Sequence, residues 1–484
     1  MPKRFVLGLV FLALAGCTRN PQAVLQEAAA TTGAANLKSI QYSGSGSNFA
    51  LGQSFSPDAP WPRFNVKTYT RAIDYDARSS REELLRTQAE EPPRGGGQQP
   101  LVGEQQQRFM VSGEHAWNMP GDTPTPAPAA AEERQLQIWL TPHGFLKAAM
   151  ANNASGVAHV DGGRNVTVFS FTALGKFKVN GVVNDQNLVE KVETWVPNPV
   201  LGDMLVETHY SDYKDFNGVK FPTHIHQVSG GHPTLELTVS DVQPNVSAAL
   251  EVPEPVRQAT VPPVRVESQR LAEGVWFLGG GSHHSVAVEF RDFMVMVEGP
   301  QNEERSLAVI AEAKKLIPNK PIRYVVNTHH HFDHSGGLRT YVAEGATIVT
   351  HQMNRPFYER SFQAASTLVP DSLSKAPKQA VFETLTDKHV LTDGTRTLEI
   401  HLIRGNLHNE AILMAYLPTE RILIEADVFT PPAPDAPPPA AFPLSAANLY
   451  ENIQRLGLNV ARIAPIHGRV VPVADLRRFI APRG

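Results

Sequence analysis

Residues 251–264, EVPEPVRQATVPPV, separate two stretches of chain with different periodicities. Proline fixes φ and lacks a backbone N–H, so prolines this closely spaced exclude the interior of a helix or central strand. Upstream, short runs show period-two alternation or enrichment in β-branched and aromatic residues. Downstream, apolar strand-like runs alternate with helical patterns. A length of 484 residues leaves room for two domains. We therefore expect an α+β protein with a signal segment over 1–16, a β-rich domain over 17–250, a linker over 251–264 and a second domain over 265–484.

In the upstream part, strands are predicted over 38–47, 64–75, 105–117, 135–140, 165–171, 188–195, 204–213, 223–228 and 235–242. A short helix is expected over 21–35. A second begins at Thr141 as N-cap, with Pro142 in its first turn. The low-complexity stretches 91–107 and 120–133 read as mobile loops. The segments YSDYKDFNGVKFPTHI and LTVSDVQPN resemble the strand–turn–strand units of LolA-like periplasmic lipoprotein carriers. That resemblance implies an antiparallel half-barrel with an apolar concave face. A simple spacer is the alternative.

The first residues, MPKRFVLGLVFLALAGC, join a basic start to a short apolar run, the form of a signal peptide. The ending Leu14-Ala15-Gly16-Cys17 resembles a bacterial lipobox. It implies lipidation of Cys17 and a lipid-bilayer anchor, and Thr18 favours the outer membrane facing the periplasm. Cys17 is the only cysteine, so no intrachain disulfide forms. Lys+Arg 44 against Asp+Glu 48 shows no basic excess, which argues against a nucleic-acid partner and for a small-molecule substrate.

The chemistry concentrates at 327–337, NTHHHFDHSGG. A strand predicted over 322–328 ends there. In extended chain, residues two apart point the same way, so His329 and His331 share a face and Asp333 can follow. His334 comes round where the chain bends into Ser335-Gly336-Gly337. Zinc favours imidazole nitrogen and carboxylate oxygen, and catalytic sites keep a position open to water. The remaining donors must come from later strand ends: His408 before a strand, Asp427 after one, and His467 before Gly468.

This set, His329-x-His331-x-Asp333-His334 followed by His408, Asp427 and His467, resembles the metallo-β-lactamase superfamily over residues 265–484. The resemblance implies an αββα sandwich of the glyoxalase II-like, dinuclear zinc type. It implies that His329, His331 and His408 bind one zinc, that Asp333, His334 and His467 bind a second, and that Asp427 bridges both. It further implies hydrolysis by a metal-bridging hydroxide, with Asp333 as the catalytic carboxylate that orients it. An aspartate at 427 favours an ester, thioester, lactone or phosphoester over a β-lactam. The alternatives are a class B-type β-lactamase and a periplasmic ligand-binding lipoprotein with a structural metal domain.

His283 and His284, after three glycines, are candidate substrate contacts. His330 is expected to pack or be solvated away from the metals, His401 to sit on a sheet face, and His224 and His226 to face solvent. Tyr341 and Tyr358 fit helix packing as well as a pocket wall. Glu298, Ala426 and Ile466 depart from residues common in the superfamily, which bears on loop geometry and not on metal ligation.

Overall fold

Downstream of the linker, two sheets share one apolar core. The computed structural model describes residues 20–437, 439 and 441–481. The Met294–Val297 strand shows how the layers arise. Val295 and Val297 point into the core shared with the other sheet, whereas Met294 and Met296 meet the helix Glu303–Leu316 and the Leu338–Glu344 helix behind. A strand covered on both faces reads as a continuous apolar run because successive side chains alternate faces. The first sheet has seven strands and the second six. The outer face of the second is covered by Leu444–Arg455 and Val473–Ile480 through Leu449, Ile453 and Leu476.

Strand direction places the site. Met294–Val297, Ile322–Val326 and Thr347–His351 run parallel in the first sheet, and Ile422–Glu425 runs parallel to Arg462–Pro465 in the second. Their carboxyl ends lead into Glu298, into the 327–331 segment, into Asp427 and into His467. In open parallel sheets the crevice beyond the strands' carboxyl ends is where ligands bind.

Upstream, a single open antiparallel sheet of thirteen strands runs between edge strands Thr125–Pro126 and Ser155–Asp161. One face is filled by helices Pro21–Thr32, Ala131–Trp139 and Pro142–Ala151, whose Leu25, Leu136, Phe145 and Leu146 pack on strand residues Ile40, Tyr69, Phe169 and Phe221. A residual cavity of about 30 Å³ remains there, between Tyr42, Tyr69 and Phe221.

Several sequence expectations are corrected. Residues 135–139 are helical and Leu140 is the C-cap, not an extended run: the alternation of QLQIWL is overridden by packing of Leu136 and Ile138 into the helix-covered core. Strands Ser155–Asp161 and Phe177–Val183 lie outside the expected set. The linker contains a helical turn, Glu254–Arg257, pinned by buried Val256. Residues 91–107 and 120–133 are not featureless loops. A strand starts at Glu104, a helix starts at Ala131, and Gly95 and Gly96 hydrogen-bond elsewhere in the fold. Cys17 and the signal segment lie outside the described residues. Among the described residues no helix is long and apolar enough to cross a membrane.

Candidate metal centre

The strand Ile322–Val326 delivers Asn327 through His331 in extended form, and Phe332–Ser335 then makes one helical turn that swings His334 back toward His329. Their ring centroids lie 4.3 Å apart. His408 arrives from the loop before the Leu413–Leu417 strand, its amide held by Asn406 Oδ1 at 2.8 Å. Asp427 follows the Ile422–Glu425 strand and adopts a left-handed φ of 60°. His467 follows Arg462–Pro465. All seven side chains singled out in the sequence thus meet in one crevice.

Asp427 is the hub. Its Oδ2 lies 3.2 Å from His329 Nε2, 3.2 Å from His408 Nε2 and 2.7 Å from His334 Nε2, and its Oδ1 lies 2.9 Å from His467 Nε2. Burial opposes its charge, but the neighbouring His334 and His408 hold the carboxyl well below the usual range. Three ring nitrogens, His329 Nε2, His331 Nδ1 and His408 Nε2, are buried without a well-aligned hydrogen bond, and of these His331 Nδ1 has no ion-pair partner either. A buried polar atom left unpaired costs on the order of 1–3 kcal/mol. His329, His331, His408 and Asp427 each offer a ligand atom within 4.8 Å of the others, as do His283, His334 and His467.

The far side of each ring explains which nitrogen faces inward. A neutral imidazole carries one N–H, and the partner of that N–H selects the tautomer. His329 Nδ1 meets Thr328 Oγ1 at 2.9 Å, and that hydroxyl donates onward to Glu298 Oε2 at 2.6 Å. His334 Nδ1 donates to Glu298 Oε2 at 3.0 Å. His331 Nε2 donates to Ser54 O at 2.8 Å, and His467 Nδ1 to Ser282 O at 2.8 Å. In all four rings the outer nitrogen carries a proton, so the inner nitrogen of the neutral ring is the one that can face a cation; the inner nitrogens of His334 and His467 also lie within hydrogen-bond distance of Asp427, at 2.7 and 2.9 Å. Imidazole nitrogens and a carboxylate converging on one crevice are the donor types that zinc takes. The donor set therefore fits divalent metal.

Glu298 was read from the sequence only as a departure, yet its buried carboxylate also accepts from Thr328 N and Asn327 Nδ2, both at 3.1 Å. It orients two of the rings at once. The available signal was an acidic residue closing the apolar run Met294–Val297. Asn409, Gln53 and Ser54 were also missed; their contacts with this site span the two halves of the chain.

The two candidate substrate contacts separate. His283 Nε2 lies 3.2 Å from Asp333 Oδ2, and its ring packs edge-on against His467 at 4.2 Å. His284 turns away against Phe277, and burial followed by Arg305 pushes its pKa down to about 4. His330 packs, as expected, away from the crevice: it is buried between Ser54 Oγ at 2.9 Å and Asn409 Nδ2 at 3.1 Å. His401 lies in a strand beside Glu399. His224 and His226 are half-buried, not solvent-facing. Tyr341 and Tyr358 are core residues, the latter donating to Asn327 Oδ1.

Residues 278–464 match the metallo-beta-lactamase superfamily. No curated protein matches the chain. Among solved structures it is similar to a metallo-beta-lactamase from Pontibacter korlensis, at 17% identity and TM-score 0.35, covering 45% of this chain and 97% of that one. It is similar to the metallo-beta-lactamase FIM-1 from Pseudomonas aeruginosa in its mono-zinc form, at 20% identity and TM-score 0.35, covering 45% and 95%. It is also similar to rubredoxin oxygen:oxidoreductase from Desulfovibrio gigas, at 16% identity and TM-score 0.35, covering 44% and 61%. The carboxyl-terminal part of this chain, over the matched residues 278–464, is a metallo-beta-lactamase superfamily domain.

Proposed function

We propose that the chain is a zinc-dependent hydrolase of an ester, thioester, lactone or phosphoester, working in the bacterial envelope. The observation that carries the metal reading is the convergence of ligand atoms on His329, His331, His408 and Asp427 within 4.8 Å of one another, with His331 Nδ1 buried and without a partner. These three histidines would hold one ion, Asp333, His334 and His467 a second, and Asp427 both. Bound there, a pair of ions supplies an acidified water and polarises the substrate oxygen. The helix–sheet–sheet–helix layering is read as the αββα sandwich.

The chain's own groups then have assignable tasks. Glu298 and Thr328 keep His329 and His334 in the tautomer whose lone pairs face the crevice. Asp333 is the most exposed member of the set, at 39% of its side chain, so it meets both solvent and substrate. Burial raises its pKa, but His334, the leading charge partner, lowers it by more, so the carboxylate stays ionised and can orient a water by accepting its hydrogen bond. His283 stands against Asp333 Oδ2, where a proton can be passed on. A cavity of about 350 Å³ opens beside His408, with Leu407, Val428 and Phe429 on its walls. Its apolar lining suits an acyl chain or ring next to the scissile bond. The Leu14–Cys17 motif supports anchoring by a lipidated Cys17 at the outer membrane.

Metal analysis of the purified protein, with a panel of chromogenic ester, thioester, lactone, phosphodiester and β-lactam substrates, tests the reading. About two zinc per chain is expected, with turnover in one of the first four classes. His331→Ala should lose at least tenfold in turnover. Undiminished turnover in that variant, or turnover confined to β-lactams, contradicts it.

A further inference from the structure

The turn that follows the Ser39–Phe49 strand of the amino-terminal sheet lies directly on the histidine segment of the other domain. Gly52 O accepts the Phe332 N–H at 3.2 Å, and Phe55 O accepts the Glu410 N–H at 2.9 Å. Between these contacts, Ser54 O accepts His331 Nε2 at 2.8 Å and Gln53 Nε2 donates to Asp333 Oδ1 at 2.7 Å. Gln53 is itself held. Its Oε1 accepts Gly97 N at 3.0 Å, and its carbonyl accepts Gly96 N at 2.9 Å. The same glycine stretch reaches the other side of the crevice, where Gly95 N donates to Leu407 O at 2.9 Å, next to His408. Trp61 packs edge-on to Phe332, with ring centroids 6.1 Å apart, in an apolar cluster that includes Val200.

Ordinary domain contacts end on surface groups. Two of these end on members of the proposed ligand set. We infer that the amino-terminal sheet is an integral part of the metal centre, with Gln53 and Ser54 acting as positioning groups for Asp333 and His331; this rests on the metal reading above. A backbone carbonyl only accepts, so Ser54 O requires the His331 proton on Nε2 and leaves the Nδ1 lone pair facing inward. An amide nitrogen only donates, so Gln53 occupies one lone pair of Asp333 Oδ1 and fixes the plane of that carboxylate. Neither partner lies within the matched residues 278–464. Without the sheet, one imidazole and the most exposed carboxylate of the set would be free to turn. Outer partners of this kind typically contribute 10–100-fold to metal affinity.

The test is zinc titration of the full chain against a chromophoric chelator. Gln53→Ala removes the donor. Gly96→Ala keeps the donor but crowds both positioned groups, because a Cβ there would fall 1.9 Å from Gln53 Oε1 and 3.0 Å from His331 Cε1. Gln53→Ala should weaken one of the two zinc steps about tenfold or more and leave the other within about twofold, whereas Gly96→Ala, which also crowds His331, should weaken both. The visible spectrum of the cobalt-substituted protein should shift at the same step, which loosened domain packing alone would not cause. If Gln53→Ala does not fold, Gln53→Met keeps the side-chain volume without the donor. Wild-type zinc affinities and cobalt spectra in the variants would overturn the inference and leave the metal reading intact. A wild-type chain that takes up no zinc would overturn the metal reading, and this inference with it.

Discussion

Glu298 shows how one residue can organise a site without touching its centre. Its carboxylate is fully buried and collects four donors: Thr328 N, Thr328 Oγ1, Asn327 Nδ2 and His334 Nδ1. Its backbone φ of 74° is the left-handed region, which a glutamate adopts only when its surroundings over-determine it. Glu298→Gln exchanges an acceptor for a donor opposite His334 Nδ1–H, so the ring must turn or change tautomer. Zinc affinity, read by chelator competition, should fall about tenfold or more; an unchanged affinity would mean that His334 needs no outer partner. The seven candidate ligands were legible because histidine and aspartate stand at strand ends in an otherwise apolar context. Gln53 and Ser54 were not, because a glutamine and a serine in a polar turn look like any turn until the fold brings them against residues about 280 positions away.

At the scale of elements, what could be read was local chemistry with a fixed geometry. Thr141 caps Pro142–Ala151 as its sequence indicates, and Asn302 caps Glu303–Leu316 in the same way, accepting Arg305 N at 3.0 Å. Both follow from the need to satisfy free N–H groups at a helix start. Segment 135–140 defeated the same reading, because its alternation is short and helical packing against the sheet decides its state. The Pro142–Ala151 helix also carries a pH response. His143 is fully buried, stacks on Phe221 and meets Thr32 O at 3.1 Å. Burial lowers its pKa to about 4 from the ordinary 6.5. The unfolded chain therefore binds a proton that the native state refuses between those two values. Stability is complete above about pH 6.5 and declines as the pH falls toward 4, by about 3 kcal/mol from this group. His143→Gln, which retains an N–H for Thr32 O, should flatten that slope in denaturant melts taken across this range. An unaltered slope would assign the acid sensitivity elsewhere.

Across the whole molecule, two folds that look separable in sequence meet at the reactive crevice. The rhythm change around 251–264 was visible; the docking was not, since it depends on Gly52, Ser54 and Phe55 offering backbone groups to the other half. The filled inner face of the thirteen-stranded sheet also bears on its role. About 30 Å³ is left between Tyr42, Tyr69 and Phe221, while a cavity of about 390 Å³ opens beside the covering helices, between Tyr75, Trp139, Lys147 and Leu174, against about 350 Å³ beside His408. The sheet's contacts with the candidate metal centre are made by its rim, through Gln53 and Ser54. The most direct measurement is diffraction from crystals grown with zinc, recorded on both sides of the zinc absorption edge. Two anomalous peaks are expected, one among His329, His331 and His408 and one among Asp333, His334 and His467, with Asp427 reaching both. A map with no peak in that crevice, or with its peaks elsewhere, would contradict the account.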